Sequence, residues 1–234
     1  MFYIDYLDGK RIVRSDLIKE ADIFFTTRDI CIHSKYEDMS YNKIKVEEFI
    51  GQKLTTNHPV HGVDIVDVEK DKYFYKDVDG LLLKKGMSAY MNFGDCVPLV
   101  FYCDNKVIIS HAGWRGTAQN MAKISVKKLV EEYGCESKDI KVIIGPAICF
   151  DCYEVGKDVF SKLYSTVKKH DNIFRTSRDK YFVDLKGINK QQLIECGVVN
   201  IDMCPYCTNC GDKLFYSYRY ENKTGYRHSV VVKL

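Results

Sequence analysis

Three side chains that often bind transition metals, His61, Cys96 and His111, lie in separate short segments of the chain. His61 follows a Pro-Val pair, Cys96 lies in a turn between two apolar stretches, and His111 ends an apolar stretch. This spacing differs from that of a zinc finger, whose ligands come in local pairs. Three ligands from separate strand ends are typical of a catalytic metal site that leaves a fourth position for water or substrate.

Imidazole and thiolate donors favour Zn²⁺, and Cu²⁺ competes for the same donors. Two other interpretations use the same residues. In one, both histidines are hydrogen-bonded turn residues and Cys96 is a buried thiol. In the other, Cys96 is a nucleophile and one histidine is its base. The residue types and their spacing alone leave all three interpretations open.

The segment Ile108–Thr117 positions one of these ligands and supplies an anion site. It begins as an apolar strand, turns at glycines and continues into a predicted helix over Thr117–Tyr133. Free N–H groups near Gly116 and the helix dipole favour phosphate there. The guanidinium of Arg115 adds a fork-shaped donor, and Arg219, which follows an apolar segment, is a second candidate.

The predicted strands outnumber the predicted helices and do not alternate with them, which favours an α+β fold with mixed β-sheets flanked by helices. The sequence shows no domain boundary, so we expect one domain over residues 1–234. The predicted strands are Phe2–Tyr6, Ile23–Thr27, Asp64–Val68, Gly80–Leu83, Ser88–Phe93, Leu99–Cys103, Val107–Ser110, Lys141–Ile144, Tyr181–Asp184, Val198–Met203, Leu214–Tyr218 and Ser229–Val232. The predicted helices are Ser40–Lys53, Thr117–Tyr133, Val155–Lys168 and Lys186–Cys196.

Composition describes an ordinary globular protein of 234 residues, with 46% hydrophobic and 29% charged residues. The net charge of +3 gives no reason to expect nucleic acid or an anionic membrane as a partner. The chain contains no apolar run long enough for a transmembrane helix, and its first residues do not resemble a signal peptide. We therefore expect a cytoplasmic protein.

The ten cysteines are expected to be free thiols, metal ligands or catalytic groups, because no export signal precedes them. Four in apolar surroundings are predicted to be buried small hydrophobic residues: Cys31, Cys103, Cys149 and Cys196. Cys204, Cys207 and Cys210 follow a C-x2-C-x2-C pattern that could hold a second metal or a redox pair. A closed site needs a fourth ligand; none lies nearby in the sequence, and Cys149 and Cys152 could approach only through the fold.

Eight short motifs spread over most of the chain belong together: Pro59–Gly62, Asp79–Leu81, Gly94–Pro98, His111–Gly116, Gly145–Ile148, Cys152–Val155, Val183–Leu185 and Phe215–Arg219. With these motifs, the chain resembles the YfiH/YlmD family, long called laccase-domain or multicopper polyphenol oxidase proteins. Members of that family are described as purine nucleoside phosphorylases with adenosine deaminase side activity. The two strings Asp-Cys-Val-Pro and His-Ala-Gly-Trp-Arg-Gly, in that order, are the most specific part of the resemblance.

The resemblance implies an α+β fold of mixed sheets and a metal bound by His61, Cys96 and His111. The expected function is a zinc-dependent purine nucleoside phosphorylase with adenosine deaminase activity. Adenosine, inosine and methylthioadenosine are its candidate nucleosides, phosphate is its co-substrate, and Arg115 joins the triad in catalysis. Two alternatives remain: a copper-dependent polyphenol oxidase and a non-catalytic metal-binding accessory protein. Six histidines and one triad are too few for a site of four copper ions.

Three departures from the family pattern stand near the site. Pro59 replaces a usual Gln, Gly94 replaces a usual Ala, and Thr224–Arg227 replaces a usual Thr-Gly-Arg. Whether Arg227 reaches a substrate is therefore open.

Four further residues lie beside the expected site. Asp95 either orients a ligating histidine or only shapes a turn. Trp114 is predicted to be a packing anchor rather than a stacking platform for a purine. Tyr153 and Glu154 are candidates for lining the site, because their motif belongs to the resemblance.

Overall fold

A computed structural model describes residues 1–30, 32–33, 46–211 and 213–234. The fold is mixed α/β with several sheets, as the sequence predicts, whereas the extent of one domain over residues 1–234 stays a prediction. The strands are β1 Phe2–Leu7, β2 Lys10–Ser15, β3 Asp22–Thr26, β4 Ile32–His33, β5 Thr56–His58, β6 Ile65–Asp67, β7 Phe74–Lys76, β8 Gly80–Lys84, β9 Ser88–Phe93, β10 Val97–Cys103, β11 Lys106–Ala112, β12 Lys141–Ile144, β13 Glu154–Val155, β14 Phe174–Ser177, β15 Lys180–Val183, β16 Asn200–Met203 and β17 Tyr226–Lys233. The helices are α1 Trp114–Ala118, α2 Met121–Tyr133, α3 Lys157–Tyr164 and α4 Leu185–Glu195, with a further helical stretch at 46–50.

Two six-stranded sheets carry most of the structure. The first has the order β1-β2-β3-β17-β4, with β9 also paired to β17. The second has the order β16-β12-β10-β11-β8-β6 and mixes antiparallel pairs with two parallel ones. Strands β13, β15 and β14 form a small third sheet, and β5 pairs with β7. No helix in these parts of the chain is both long and apolar enough to cross a bilayer.

Alternation of side chains along β10 explains why the two large sheets and the helices stack in layers. Leu99 and Phe101 point to a core shared with α2 and α4, whereas Val100 and Tyr102 point to a core shared with the first sheet. Every residue of β10 is buried because both faces of the strand are covered. The end of this central strand is consequently a rigid place to hold a functional side chain.

The predicted helix over Thr117–Tyr133 is wrong in its first turn. The chain forms the short helix α1, breaks at Asn120, which has a left-handed backbone with φ of 65°, and starts again as α2. Asn tolerates this conformation better than most residues do, which allows the break at this position. The periodic apolar pattern continues on both sides of the break and therefore does not reveal it. The sequence predicts the anion site at the start of one long helix, but the helix at this position, α1, has only five residues.

The predicted strand over Leu214–Tyr218 is also wrong: the segment is irregular, and all of it except Tyr218 is buried. Its backbone groups bond to side chains and a loop instead of a ladder. The carbonyl of Phe215 accepts from the Arg28 guanidinium at 2.8 Å, and the N–H of Ser217 donates to Glu221 at 3.1 Å. Burial without a strand partner is the reason that an apolar pattern misled the prediction.

The cysteine predictions are partly corrected. Cys103 is buried, as expected, but it is not a free thiol: it forms a disulfide with Cys135. Cys149 and Cys196 are only partly buried. Cys31 and part of the predicted helix over Ser40–Lys53 lie outside the described residues.

The buried ring of His228 makes stability sensitive to acid. It lies between Phe93 and Phe215, with ring centroids at 6.2 and 4.9 Å, and burial lowers its pKa to about 3. The unfolded chain binds this proton near pH 6.5, so the stability contributed by the neutral ring is complete above that pH and is lost as pH falls toward the folded pKa.

We therefore expect wild-type protein to lose about 2 kcal/mol more unfolding free energy between about pH 7.5 and about pH 5 than His228→Gln does, because the amide cannot bind a proton. Urea titrations at both pH values measure this difference. His170→Gln, at a partly exposed position, is the matched control and should follow wild type. Equal losses in wild type and His228→Gln would contradict the assignment.

Candidate metal centre

The structure brings the three predicted ligands together. One ligand atom from each of His61, Cys96 and His111 lies within 4.8 Å of the others, and the two imidazole rings meet edge to face at 4.9 Å. Cys96 immediately precedes β10 and His111 lies near the end of β11, where it is paired with Pro98. His61 comes from the loop between β5 and β6 and has a positive φ of 63°.

A buried carboxylate that sequence reasoning did not assign to the site connects two of these ligands. Asp79 accepts hydrogen bonds through Oδ1 from the backbone N–H of His61 and from Nδ1 of His111, both at 2.9 Å. Its Oδ2 accepts from the N–H groups of Gly62 at 2.7 Å and Val60 at 3.1 Å. An ionised carboxylate only accepts, so Nδ1 of His111 carries a hydrogen and Nε2 is left as the ligand atom. An acidic residue directly before the apolar strand β8 was the available signal.

Charges pair inside the triad. Burial raises the pKa of the Cys96 thiol, but His111 and His61 outweigh it and bring the pKa to about 6. Burial lowers the pKa of His111, whereas Cys96 and Asp79 raise it to about 9. The metal-free triad is therefore a thiolate–imidazolium pair backed by a carboxylate, and a divalent cation would replace its proton.

Two glycines of the predicted turn allow this close approach. A Cβ atom at Gly113 would lie 2.9 Å from Sγ of Cys96 and 3.3 Å from the ring of His61. A Cβ atom at Gly116 would lie 3.2 Å from the carbonyl oxygens of Gly62 and His111. Both glycines therefore let helix α1 pack against the triad, and the phosphate contact expected of Gly116 stays a prediction.

Asp95, next to the thiol ligand, does not bond to a histidine. Its Oδ1 accepts from the hydroxyls of Thr208 at 2.7 Å and Ser217 at 2.8 Å, and its Oδ2 accepts from the backbone N–H of Arg219 at 2.7 Å. The carboxylate thus holds two C-terminal segments against the turn that carries Cys96. The suggestion that Asp95 orients a ligating histidine is wrong.

A cavity of about 680 Å³ opens beside this arrangement, with Trp114, Tyr153, Glu154, Lys157, Asp179 and Arg219 in its wall. Burial raises the pKa of Tyr153; the Cys96 and Asp95 charges raise it further, while Arg219 and Arg115 act in the opposite direction. Tyr153 is therefore near enough to Cys96 and to both guanidinium groups for their charges to act on its hydroxyl. Lys157 and Asp179 come from α3 and the β14–β15 turn, where no motif marked them.

The two predicted arginines both lie at the surface near this cavity. The guanidinium of Arg219 lies over the ring of Tyr153 at 4.7 Å and donates to the carbonyl of Glu154. The guanidinium of Arg115 lies over the ring of Trp114 at 4.4 Å. Trp114 packs against the helix core, as predicted, and it also contributes to the cavity wall.

Two of the departures from the family pattern are connected in space. A Cβ atom at Gly94 would lie 2.8 Å from Cδ of Arg227, so the glycine makes room for this side chain. Arg227 donates to the carbonyls of Thr224 at 2.6 Å and Tyr226 at 2.7 Å. An alanine at position 94 would force the arginine to move.

The donor set fits a bound transition metal. Two imidazoles and one thiolate converge, a carboxylate orients one imidazole, and three protein ligands leave further positions open. A second group of possible metal ligands contains Cys149, Cys152, Cys207 and Cys210, and Cys204 is not part of it.

The prediction that Cys204, Cys207 and Cys210 form a ligand group is therefore wrong for Cys204.

The chain is similar to several known proteins. The family described as multi-copper polyphenol oxidoreductase laccase matches residues 33–233. Purine nucleoside phosphorylase YlmD of Bacillus subtilis is 34% identical over 157 residues, or 64% of this chain and 56% of that protein. Adenosine deaminase RL5, from an unknown prokaryotic organism, is 32% identical over 163 residues, or 66% of this chain and 61% of that protein.

The crystal structure of YlmD from Geobacillus stearothermophilus has the same fold, with a TM-score of 0.85 and 28% identity over 95% of both chains. The alignments with the first two relatives span less than two thirds of those proteins. The family match nevertheless covers most of this chain, including the triad. The chain therefore belongs to the laccase-domain family of multi-copper polyphenol oxidoreductase laccases, and its resemblance to YfiH/YlmD proteins is confirmed.

Proposed function

We propose that this protein is a zinc-dependent enzyme that cleaves purine nucleosides with phosphate and also deaminates adenosine. The observation that carries the proposal is the His61–Cys96–His111 triad beside a cavity that offers aromatic rings and guanidinium groups. Relatives named purine nucleoside phosphorylase and adenosine deaminase support the same purine chemistry.

His61, Cys96 and His111 would hold the metal, with Nε2 of His111 aimed by Asp79. Zinc, when bound, supplies Lewis acidity and lowers the pKa of a coordinated water. Copper competes for the same donors by affinity, so elemental analysis of the purified protein decides which metal is bound.

The chain's own groups would seat the two substrates. Phosphate is a double anion that matches the forked donors of Arg115 and Arg219. A purine is a flat aromatic ring that would lie against the cavity wall, to which Trp114 and Tyr153 contribute. The charges of Cys96, Arg219 and Arg115 all act on Tyr153, so a nucleoside bound beside it would lie near the triad and the arginines.

A multicopper oxidase would need several histidine-rich sites. Among the described residues, two groups have the donors for a transition metal, and only the triad contains histidine. A non-catalytic accessory protein would need neither the open ligand positions nor the cavity beside them. Both alternatives are outcomes of the following experiment.

Purified protein should release free base from inosine and adenosine only when phosphate is present, and should form inosine from adenosine without phosphate. Cys96→Ser should lower both rates at least about a hundredfold, because a metal centre supplies several kcal/mol of transition-state stabilisation. Chromatography of the reaction mixtures measures both products. The matched control Cys196→Ser, outside both ligand groups, should keep both rates.

Oxidation of phenols with no nucleoside turnover would favour the polyphenol oxidase. No turnover of any of these substrates by metal-loaded protein would favour the accessory protein. Full activity of Cys96→Ser in both reactions would overturn a mechanism centred on the triad.

Replacing the arginines should affect the phosphate-dependent reaction alone. Arg115→Ala and Arg219→Ala should each raise the KM for phosphate by about tenfold or more, the cost of losing a charged hydrogen bond. Adenosine deamination, which uses no phosphate, should change by no more than roughly threefold, less than 1 kcal/mol. Arg178→Ala, at the exposed β14–β15 turn, is the control. An unchanged phosphate KM in both variants would remove the arginines from the phosphate site.

Asp79→Asn should weaken the metal centre without removing a ligand. Loss of a carboxylate behind a ligating histidine typically lowers metal affinity about 10- to 100-fold. Competition with a chromophoric chelator measures the affinity, and activity restored by excess zinc would separate positioning from misfolding. Asp64→Asn, at an exposed position of the loop that carries His61, is the matched control. Wild-type affinity in Asp79→Asn would contradict the role of Asp79.

A further inference from the structure

Four cysteines from two distant parts of the chain meet on the surface of the second sheet. Cys149 and Cys152 flank the short 3-10 turn after β12, and Cys207 and Cys210 follow β16. Both pairs have the C-x2-C spacing, and the four Sγ atoms lie within 4.8 Å of one another. Strands β12 and β16 are parallel neighbours, so both pairs leave the same edge of the sheet.

Cys204, the nearest other cysteine, belongs to the core instead. Its backbone N–H donates to the carbonyl of Ile144 at 2.8 Å, which continues the ladder between β12 and β16 by one residue. Its carbonyl accepts from the ammonium of Lys186 at 2.7 Å. The chain leaves the sheet only after this residue, and this is why Cys207 and Cys210 reach the other pair while Cys204 does not.

The sulfur atoms are surrounded by N–H donors. Sγ of Cys207 accepts from the backbone N–H groups of Cys149 at 3.2 Å and Asn209 at 3.3 Å. Sγ of Cys152 accepts from the side-chain amide of Asn209 at 3.3 Å. Such donors stabilise negative charge on the sulfur atoms of Cys207 and Cys152, the two that accept them.

The spacing of the sulfurs also fits one ion. Four sulfurs at about 2.3 Å from a tetrahedral zinc are about 3.8 Å apart. Sγ of Cys149 and Sγ of Cys210 are separated by 3.6 Å, and no pair among the four exceeds 4.8 Å. Small rotations of the side chains would bring all four to equal distances.

We propose that Cys149, Cys152, Cys207 and Cys210 bind a second zinc ion, in a closed structural site. Four thiolates fill the tetrahedron and leave no position for water or substrate, in contrast to the triad. Each thiol gives up its proton to solvent when the metal binds, and no electron is transferred. The site is separate from the proposed catalytic centre and does not depend on which reaction that centre performs.

This zinc would fasten one wall of the cavity to the segment that follows β16. On the cavity side, the carbonyl of Cys152 accepts from the hydroxyl of Tyr220 at 2.8 Å, and Tyr153 follows Cys152 directly. On the other side, Thr208 follows Cys207 and bonds to Asp95, next to Cys96. A crosslink between the two cysteine pairs would therefore connect the Tyr153 wall to the segment held by Asp95.

The experiment counts zinc in the purified full-length chain by mass spectrometry of the metal, with no chelator in the buffers. Wild type should contain two zinc ions per chain, Cys96→Ser should contain one, and Cys207→Ser/Cys210→Ser should contain one, because two ligand groups are present. Cys196→Ser is the matched control and should contain two. One ion in wild type and none in Cys96→Ser would overturn the proposal.

Two further measurements keep the test decisive if the double variant misfolds. Co²⁺ loaded into Cys96→Ser should give the intense absorption of a tetrahedral tetrathiolate site. Iron in place of zinc in the purified protein would overturn the assignment to zinc. Alkylation of wild type should modify the four cysteines only after the metal is removed. A Cys149–Cys210 disulfide, or alkylation of all four without metal removal, would overturn the proposal.

Discussion

One buried carboxylate organises the candidate metal centre of this protein. Asp79 has no exposed surface, and its four hydrogen bonds come from the loop that carries His61 and from the ring of His111. A buried carboxylate without such partners would cost several kcal/mol, so the loop must close on it as the chain folds. The same bonds fix the tautomer of His111 and the position of His61. Folding and preparation of the ligand site are therefore one event at this residue.

A second carboxylate, that of Asp95, holds segments together on the cavity side. Asp95 connects the turn of Cys96 with Thr208, Ser217 and the backbone of Arg219. The cavity wall is thus attached to the ligand turn by hydrogen bonds rather than by a strand ladder. A zinc ion on the four cysteines would anchor the far ends of the same segments. The wall would then be held at both ends, which suits a site that must keep guanidinium groups and aromatic rings at fixed distances from a metal.

Local patterns predicted much of the fold. Strands such as Ser88–Phe93 and Lys141–Ile144 have the expected bounds, since short β-branched or aromatic runs between turns carry their own signal. The errors occur where tertiary contacts replace local rules. Asn120 breaks an apparently continuous helix, and the segment after Leu214 satisfies its backbone through Arg28, Glu221 and Asp95 instead of a sheet. Arg28 and Asp95 are distant in sequence from this segment, so no local pattern predicts their bonds to it.

The sequence by itself determined the candidate ligands: His61, Cys96 and His111 are named by their residue types and by the motifs that accompany them. Only the tertiary structure decided what holds them and what lies beside them. Asp79 joins two ligands, and Cys149 and Cys152 replace Cys204 as the companions of Cys207 and Cys210. The physical reason is that ligand chemistry belongs to single residues, whereas distance and burial depend on sheet pairing. Parallel pairing of β12 with β16 brings together residues that lie more than fifty positions apart in the chain.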